Sequence, residues 1–350
     1  MAMWMRAALT GLALCGGPAG AQDWFTPETC RVERAEVRAQ AYPPDLEARL
    51  AAEAAKVPNG VGRLWKITSA EGAVSHLWGT YHTPHPALLD LPAAFRAVLA
   101  EARVVALEFD PTPDSRDDAR EAYAVDWMWQ PDWAPPQDRS EIPPEVLDWI
   151  GRRMSDIGWD AGYLPQMSDA GLLSLLLTDP CGDYLAGVLP GQDYLIAQQA
   201  ALAGIEVTGL QEPEDLGRQL NDPLRAAQAR AAVILYAAYL GPEGALPDAR
   251  ATAFALYLQG RLAELDLWAA DWLAAVLGPA EAARVLRVTE DYILVERNGF
   301  FVLAARPLLD SGGAVLAVGA AHLPGELGMV EMLRDAGYRV ERVLLPGEVP

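Results

Sequence analysis

The chain has 350 residues, of which 51% are hydrophobic, and its formal net charge is −21 at pH 7. This length and apolar fraction are typical of a globular protein with a buried core. The negative charge disfavours nucleic acids and anionic membranes as partners, because both are negatively charged themselves.

The first residues contain the three parts of a secretory signal. Arg6 precedes the apolar run Ala7 to Leu14, and Ala19-Gly20-Ala21 forms a cleavage site of the A-x-A type. We therefore interpret residues 1–21 as a cleaved signal peptide and expect a periplasmic or secreted protein. Residues 22–350 are expected to form a single domain, and they contain no apolar run long enough to span a membrane.

Two cysteines remain after this signal, Cys30 and Cys181. An even number of cysteines in an oxidising compartment permits one disulfide, and neither residue lies in a C-x-x-C motif. The sequence leaves open whether the two cysteines pair.

Residues 22–111 predict a helix, a hairpin and then a strand–turn–helix–strand unit. Leu46, Leu50 and Ala54 recur at helical spacing, and two β-rich runs flank Glu71-Gly72. The second run ends in "LWGTYHTPHP", which is followed by the helical segment "LPAAFRAVLAEA" and the apolar strand "RVVALEFDP". Such a β-α-β unit normally has parallel strands.

The rest of the chain predicts a helical middle and a second β-α-β unit. Residues 112–297 are mostly helical in pattern, with a short strand at "IEVTGL" (205–210). Strands are then expected at Ala314–Gly319 and Tyr338–Leu344, with a helix at about 326–336 between them. The fold class is therefore α/β, with a mixed or mostly parallel central sheet, two pseudo-symmetric β-α-β units and a large helical middle insertion.

The two β-α-β units share a motif, G-x-x-H-x-P, at the end of their first strand. It reads Gly79 to Pro84 in the first unit and Gly319 to Pro324 in the second. Ligands of open α/β sheets bind at the carboxyl ends of the strands. We therefore expect the two strands to be neighbours and His82 and His322 to converge at this edge.

Glu108 supplies a carboxylate at the same edge, because it follows the strand "VVAL" of the first unit. His82, His322 and Glu108 together form a candidate set of metal ligands. Imidazole ligands favour Mn, Co or Zn over Mg. Each histidine also has a structural interpretation as a hydrogen-bonded turn residue, and Glu108 has one as the cap of a following turn or the partner of an arginine. His85 is a candidate auxiliary ligand, whereas His76 is expected to pack within its strand.

These motifs resemble those of the TraB/GumN family, which also includes pheromone-shutdown proteins and animal Wnt-cleaving metalloproteases. The similarity rests on "LWGTYH", "ALEFD" and "AVGAAHLPGELGMVEMLRDAGYRV", with support from "GQDYLIAQQAALAGIEVTGLQEPED" and "VERNGFF". It covers most of residues 62–346. The resemblance implies a fold akin to the erythromycin-esterase and ChaN-like group.

The resemblance also implies a site built from His82, Glu108 and His322. Arg297 and Asn298 match the family's "R-N" segment and are further candidate catalytic residues, and Asp193 matches an acidic position at the start of a middle helix. The sequence departs from the family pattern after the middle strand. The family usually has "G-L-E" there, whereas this chain has Gly209-Leu210-Gln211-Glu212, which leaves the role of positions 211 and 212 open.

Our first hypothesis is an exported metal-dependent hydrolase that binds a divalent ion and acts on a peptide or another small molecule. A second hypothesis is a metal-free hydrolase in which histidine and Glu108 act as base and orienting group. A third is a protein without catalytic activity that binds iron, haem or a peptide, or that assists with envelope polysaccharides.

Overall fold

The computed structural model describes residues 44–83, 85–110, 126–130, 138–156, 160–177, 191–239 and 249–350. The signal segment, Pro84 of the first motif, Cys30 and Cys181 lie outside these ranges. The predictions about the signal and the disulfide therefore remain predictions.

Six strands form one mixed sheet in the order β4-β3-β5-β2-β1-β6. The strands β2, β5, β3 and β4 are mutually parallel, whereas β1 is antiparallel to both β2 and β6. Their bounds are β1 Leu64–Thr68, β2 Val74–Thr80, β3 Val104–Leu107, β4 Glu206–Gly209, β5 Ala314–Gly319 and β6 Arg339–Val343. The predicted hairpin and the predicted α/β class are thus confirmed.

Thirteen α-helices lie in the described ranges, most of them between β3 and β5, as the prediction of a helical middle insertion required. They are α1 Pro44–Ala54, α2 Pro86–Leu89, α3 Ala93–Ala100, α4 Pro144–Asp156, α5 Asp169–Leu177, α6 Gln192–Leu202, α7 Pro213–Leu220, α8 Ala226–Ala238, α9 Ala249–Leu258, α10 Leu262–Leu277, α11 Pro279–Glu290, α12 Arg297–Ser311 and α13 Met329–Asp335. Among the described residues, no helix has both the length and the apolar character needed to cross a membrane.

Strand β5 is buried along its whole length because helices cover both faces of the sheet. Its side chains alternate between two hydrophobic clusters, as a strand covered on both faces requires. Leu316 and Val318 pack with Phe301 of α12, and Val315 packs with Phe95 of α3 on the opposite face. A third cluster holds together helices of the middle region, among them α4, α5, α8 and α11.

The sheet topology interleaves the two β-α-β units. Strand β5 of the second unit lies between β2 and β3 of the first, so that β2 pairs with β5 and β5 pairs with β3. The expected adjacency of the two motif-bearing strands is therefore confirmed. Because the three strands are parallel, their carboxyl ends meet at one edge of the sheet.

Candidate functional site

The residues that follow β2, β3 and β5 meet at the carboxyl edge of the sheet. Glu108 Oε1 lies 3.9 Å from His82 Nε2 and 3.5 Å from His322 Nε2. The His82 side chain is 60% exposed, whereas only 4% of the His322 side chain is exposed.

The two motifs have similar sequences but different backbones. Thr80, and not Gly79, is the register partner of Gly319 in the β2–β5 pair. The second motif continues as a 3₁₀ turn, Ala320–His322, whereas His82 follows its strand in a non-helical segment. The predicted pseudo-symmetry therefore describes the residue types of the two motifs better than it describes their local geometry.

Glu108 accepts hydrogen bonds on both carboxylate oxygens. Oε1 accepts from the Gly319 amide at 2.7 Å, and Oε2 accepts from Arg297 Nη2 at 2.8 Å. Burial alone would raise the pKa of Glu108, but Arg297 and the two imidazoles hold this pKa well below its usual range. Glu108 is therefore ionised at neutral pH. Each carboxylate oxygen has two lone pairs, so Oε1 retains one for a further partner.

His82 is oriented by a second carboxylate. Its Nδ1 lies 2.7 Å from Asp193 Oδ2, and Thr80 Oγ1 donates to Asp193 Oδ1 at 2.9 Å. The charge of Asp193 outweighs the opposing effect of burial and raises the pKa of His82 to about 9. Because Asp193 accepts the Nδ1 proton, His82 turns Nε2 towards Glu108 Oε1.

His322 is oriented by an amide. Its Nδ1 lies 2.7 Å from Asn298 Oδ1, and Asn298 Nδ2 donates to the Leu327 carbonyl at 2.8 Å. This second bond fixes the amide orientation, so His322 Nδ1 must be the donor and Nε2 carries a lone pair. Burial lowers the pKa of His322 to about 4, which keeps the ring neutral.

Gly319 leaves the space between these groups open. A Cβ at this position would lie 3.1 Å from both Glu108 Oε1 and His82 Nε2, and 3.6 Å from His322 Cδ2. The φ of Gly319 is −50°, which any residue can adopt. The absence of a side chain is therefore needed for space and not for backbone conformation.

The nitrogen and oxygen donors of this cluster are of the types that bind divalent cations. Both imidazoles are anchored through Nδ1 and turn Nε2 towards one carboxylate oxygen, which is how metal-binding histidines are usually held. Among the described residues, however, no group of three or more His, Cys, Asp or Glu side chains forms a ready metal centre. Arg297 already pairs with Glu108, and His82 Nε2 lies 3.9 Å from Glu108 Oε1. The three expected ligands therefore form a less compact group than the ligands of such a centre.

The structure places the two residues at which the sequence departs from the family pattern. Gln211 Oε1 accepts from Arg297 Nε at 3.0 Å. Glu212 is exposed, begins α7 and makes no side-chain capping bond. Gln211 therefore occupies the position next to Arg297, and Glu108 is the carboxylate that pairs with this guanidinium.

The remaining histidines make structural contacts. His85 Nδ1 accepts from the Ala87 amide at the start of α2, and its ring packs against Phe254 at 5.1 Å. The bond to Ala87 gives His85 a capping role, and the auxiliary ligand role stays a prediction. His76 lies within β2 opposite Lys66, as expected for a residue packed in its strand.

The sequence analysis missed two polar residues beside the site, Gln192 and Tyr257. Gln192 is buried and directly precedes Asp193, and the Tyr257 hydroxyl lies 2.7 Å from the Gly79 carbonyl. A buried amide next to a functional carboxylate is a usable signal in principle. Tyr257 carries no such signal, because its contact with the first motif depends on how α9 packs.

Comparison with known proteins gives one family. The family model described as "TraB/PrgY/gumN family" matches residues 63–342, which include every residue of the site described above. No curated protein and no solved structure gives a significant match.

Proposed function

Because the chain belongs to the TraB/PrgY/gumN family, we propose that it is an exported metal-dependent hydrolase, with peptides as the first substrate class to test. One observation carries this proposal. The Nε2 atoms of His82 and His322 approach the same oxygen of Glu108, at 3.9 and 3.5 Å. A divalent cation placed among these three atoms would be attracted to the anionic oxygen and could accept a lone pair from each imidazole.

His82 and His322 would hold the ion through Nε2, with Glu108 Oε1 as a third ligand, and binding would release the Nε2 proton of His82 to solvent. Imidazole ligands favour Mn, Co or Zn over Mg. When bound, such an ion polarises a substrate carbonyl and lowers the pKa of a water molecule.

The side chains around these three residues have defined tasks in the proposal. Asp193 and Asn298 orient the two imidazoles through Nδ1. Arg297 keeps Glu108 ionised, and the resulting low pKa of Glu108 suits a ligand better than a general base. The cleaved bond would lie beside the exposed ring of His82.

A second candidate function is metal-free hydrolysis, and the Asp193–His82 pair favours it. A solvent-accessible imidazole held by a carboxylate at 2.7 Å can transfer protons to and from a substrate. At neutral pH, a pKa of about 9 makes His82 an acid that can protonate a leaving group.

The metal content of protein purified without chelator and its activity on a peptide library and an ester panel would separate these candidates. We expect turnover that chelator abolishes and that Mn, Co or Zn restores. Substituting His322→Ala should abolish turnover, whereas His76→Ala on the same sheet should leave it unchanged. Turnover that survives chelation would support the metal-free mechanism. If His82→Ala and His322→Ala change no turnover but abolish binding of a ligand, the hydrolase proposal fails.

A further inference from the structure

Helix α6 begins directly against the turn that carries His82. A Cβ at Gly191, the residue before α6, would lie 3.4 Å from the Thr83 nitrogen and 3.5 Å from the His82 Cα. The helix start therefore lies against the main chain of this turn. Asp193, in the first turn of α6, contacts His82 and Thr80. Any shift of α6 along the turn would move Asp193 away from His82 Nδ1.

The buried side chain of Gln192 connects α6 to both ends of this turn. Its Oε1 lies 3.2 Å from Trp78 Nε1 and 3.4 Å from the Tyr81 amide, both of which can donate to it. Its Nε2 donates to the Leu88 carbonyl in α2, the helix that follows the turn. Gln192 therefore contacts the chain before and after His82, and its side chain is only 1% exposed.

Tyr257 of α9 completes this network. Its hydroxyl lies 2.7 Å from the Gly79 carbonyl and 2.9 Å from Gln192 Oε1. A hydroxyl has one proton, so it donates a full hydrogen bond to one of these two acceptors at a time. The Tyr257 ring lies 5.1 Å from the Tyr81 ring, and the Arg63 guanidinium lies 5.0 Å from it. These ring contacts fix the hydroxyl independently of α6.

We propose that Gln192 and Tyr257 are positioning residues for His82. By fixing the start of α6 against the strand end at Gly79, they keep Asp193 Oδ2 within hydrogen-bond distance of His82 Nδ1. The hydrogen bonds of these two residues go to Trp78, Gly79, Tyr81, Leu88 and each other, so they act through Asp193. This proposal rests on the proposed function in one respect. The direction in which His82 presents Nε2 matters because His82 is proposed to act through that atom.

The substitution Tyr257→Phe tests this inference, because it removes only the hydroxyl and retains the packed ring. The matched control is Tyr338→Phe, which removes a hydroxyl that lies 2.6 Å from Asp310, at the other end of α12 from Arg297 and Asn298. Two readouts apply to both variants and to the wild type: the affinity for Co²⁺ alone by calorimetry, and the hydrogen-bonded Nδ1 proton of His82 by NMR. With four histidines in the chain, this signal can be assigned by substitution.

We expect Tyr257→Phe to weaken Co²⁺ binding about 10-fold, the lower end of the effect of residues that orient metal ligands, and to broaden or remove the His82 Nδ1 signal. Tyr338→Phe should change neither. An unchanged Nδ1 signal in Tyr257→Phe would overturn the proposal. If the wild type binds no Co²⁺, the metal-dependent function fails, but the NMR comparison still decides whether Tyr257 positions His82.

Discussion

Two glycines of the site lack a side chain for different reasons. A Cβ at Gly79 would lie 3.1 Å from Leu323 Cδ2 and 3.2 Å from Ala320 Cα, so this glycine allows the second motif to pack on the first strand. A Cβ at Gly319 would instead enter the space between Glu108 and His82. The shared glycine of the two motifs therefore serves packing in one copy and access in the other.

Substituting Gly319→Ala is expected to leave the protein folded but to weaken Co²⁺ binding and turnover by at least about 10-fold, because the methyl group occupies the space that the proposed ion needs. Calorimetry and the activity assay measure the effect. The control is Gly299→Ala in α12, where the nearest atom to the new Cβ, outside the backbone of the helix itself, is Met332 Cε at 3.9 Å. This control should bind Co²⁺ normally and gain about 0.5–1 kcal/mol of stability. Unimpaired binding by Gly319→Ala would place the ion elsewhere.

The pKa of His322 predicts a pH dependence of stability. In the folded protein this pKa is about 4, whereas an unfolded histidine titrates at 6.5. Between these values the unfolded chain binds more protons, so the free energy of unfolding falls as the pH falls from about 6.5 towards 4. At about 1.4 kcal/mol per unit, the loss has an upper limit of about 3 kcal/mol.

Urea unfolding of the metal-free protein at pH 7 and pH 4.5 measures this loss. A His322→Gln variant lacks the titrating group, so its free energy of unfolding should fall less between the two pH values. Equal losses in wild type and variant would show that His322 does not titrate at a lowered pKa in the folded protein.

At the level of elements, one helical run joins two of the hydrophobic clusters. Helix α11 packs in the middle region, and α12 packs against the sheet. Between them lies a π-helical segment, Asp291–Glu296, which ends directly before Arg297 and Asn298. Tyr292 of this segment bonds Gln219, and Glu296 pairs with Arg225. The π segment therefore sets the rotation at which α12 presents Arg297 to Glu108 and Asn298 to His322.

Insertion of one alanine between Glu296 and Arg297 is expected to rotate α12 relative to the π segment. One residue corresponds to about 100° of α-helix rotation, so Arg297 and Asn298 could no longer both reach their partners. Far-UV circular dichroism should show retained helix content, while Co²⁺ affinity falls by at least about 10-fold. An insertion variant that keeps both its helix content and its Co²⁺ affinity would show that the contacts of the π segment do not set this register.

The elements that positioned the three central residues were predictable, because they carry local signals. Strands β2, β3 and β5 are apolar runs that end at His82, Glu108 and His322 or shortly before them. The π segment was not predictable, since its hydrogen-bonding pattern leaves no mark in a sequence that reads as continuous helix. The roles of Gln192, Gln211 and Tyr257 depend on tertiary packing, which residue spacing does not encode.

At the level of the whole molecule, burial differs strongly between the strands. All six residues of β5 are buried between two parallel neighbours. Strand β4 is an edge strand that pairs with β3, and none of its four residues is buried. Backbone amides of β4 therefore open to solvent at lower free energy than those of β5.

Hydrogen exchange followed by mass spectrometry should accordingly show the slowest exchange in the peptide that covers Ala314–Gly319. The peptide that covers Glu206–Gly209 should exchange at least about 10-fold faster, since a difference of about 1.4 kcal/mol in opening free energy produces this factor. Exchange at equal rates would indicate that the sheet opens as one unit.

The division into a signal and one domain stays a prediction, because no observation bears on it.

The position of β5 has a consequence for folding. This strand separates β2 from β3, although both precede it in the chain by more than half the length of the protein. No partial sheet of N-terminal strands can therefore bring His82 and Glu108 into their final relation. The pairing requires the closure of a very long loop, which costs entropy and favours slow folding. A chain that emerges from the ribosome or a translocation pore cannot assemble the site until nearly its last residues are available.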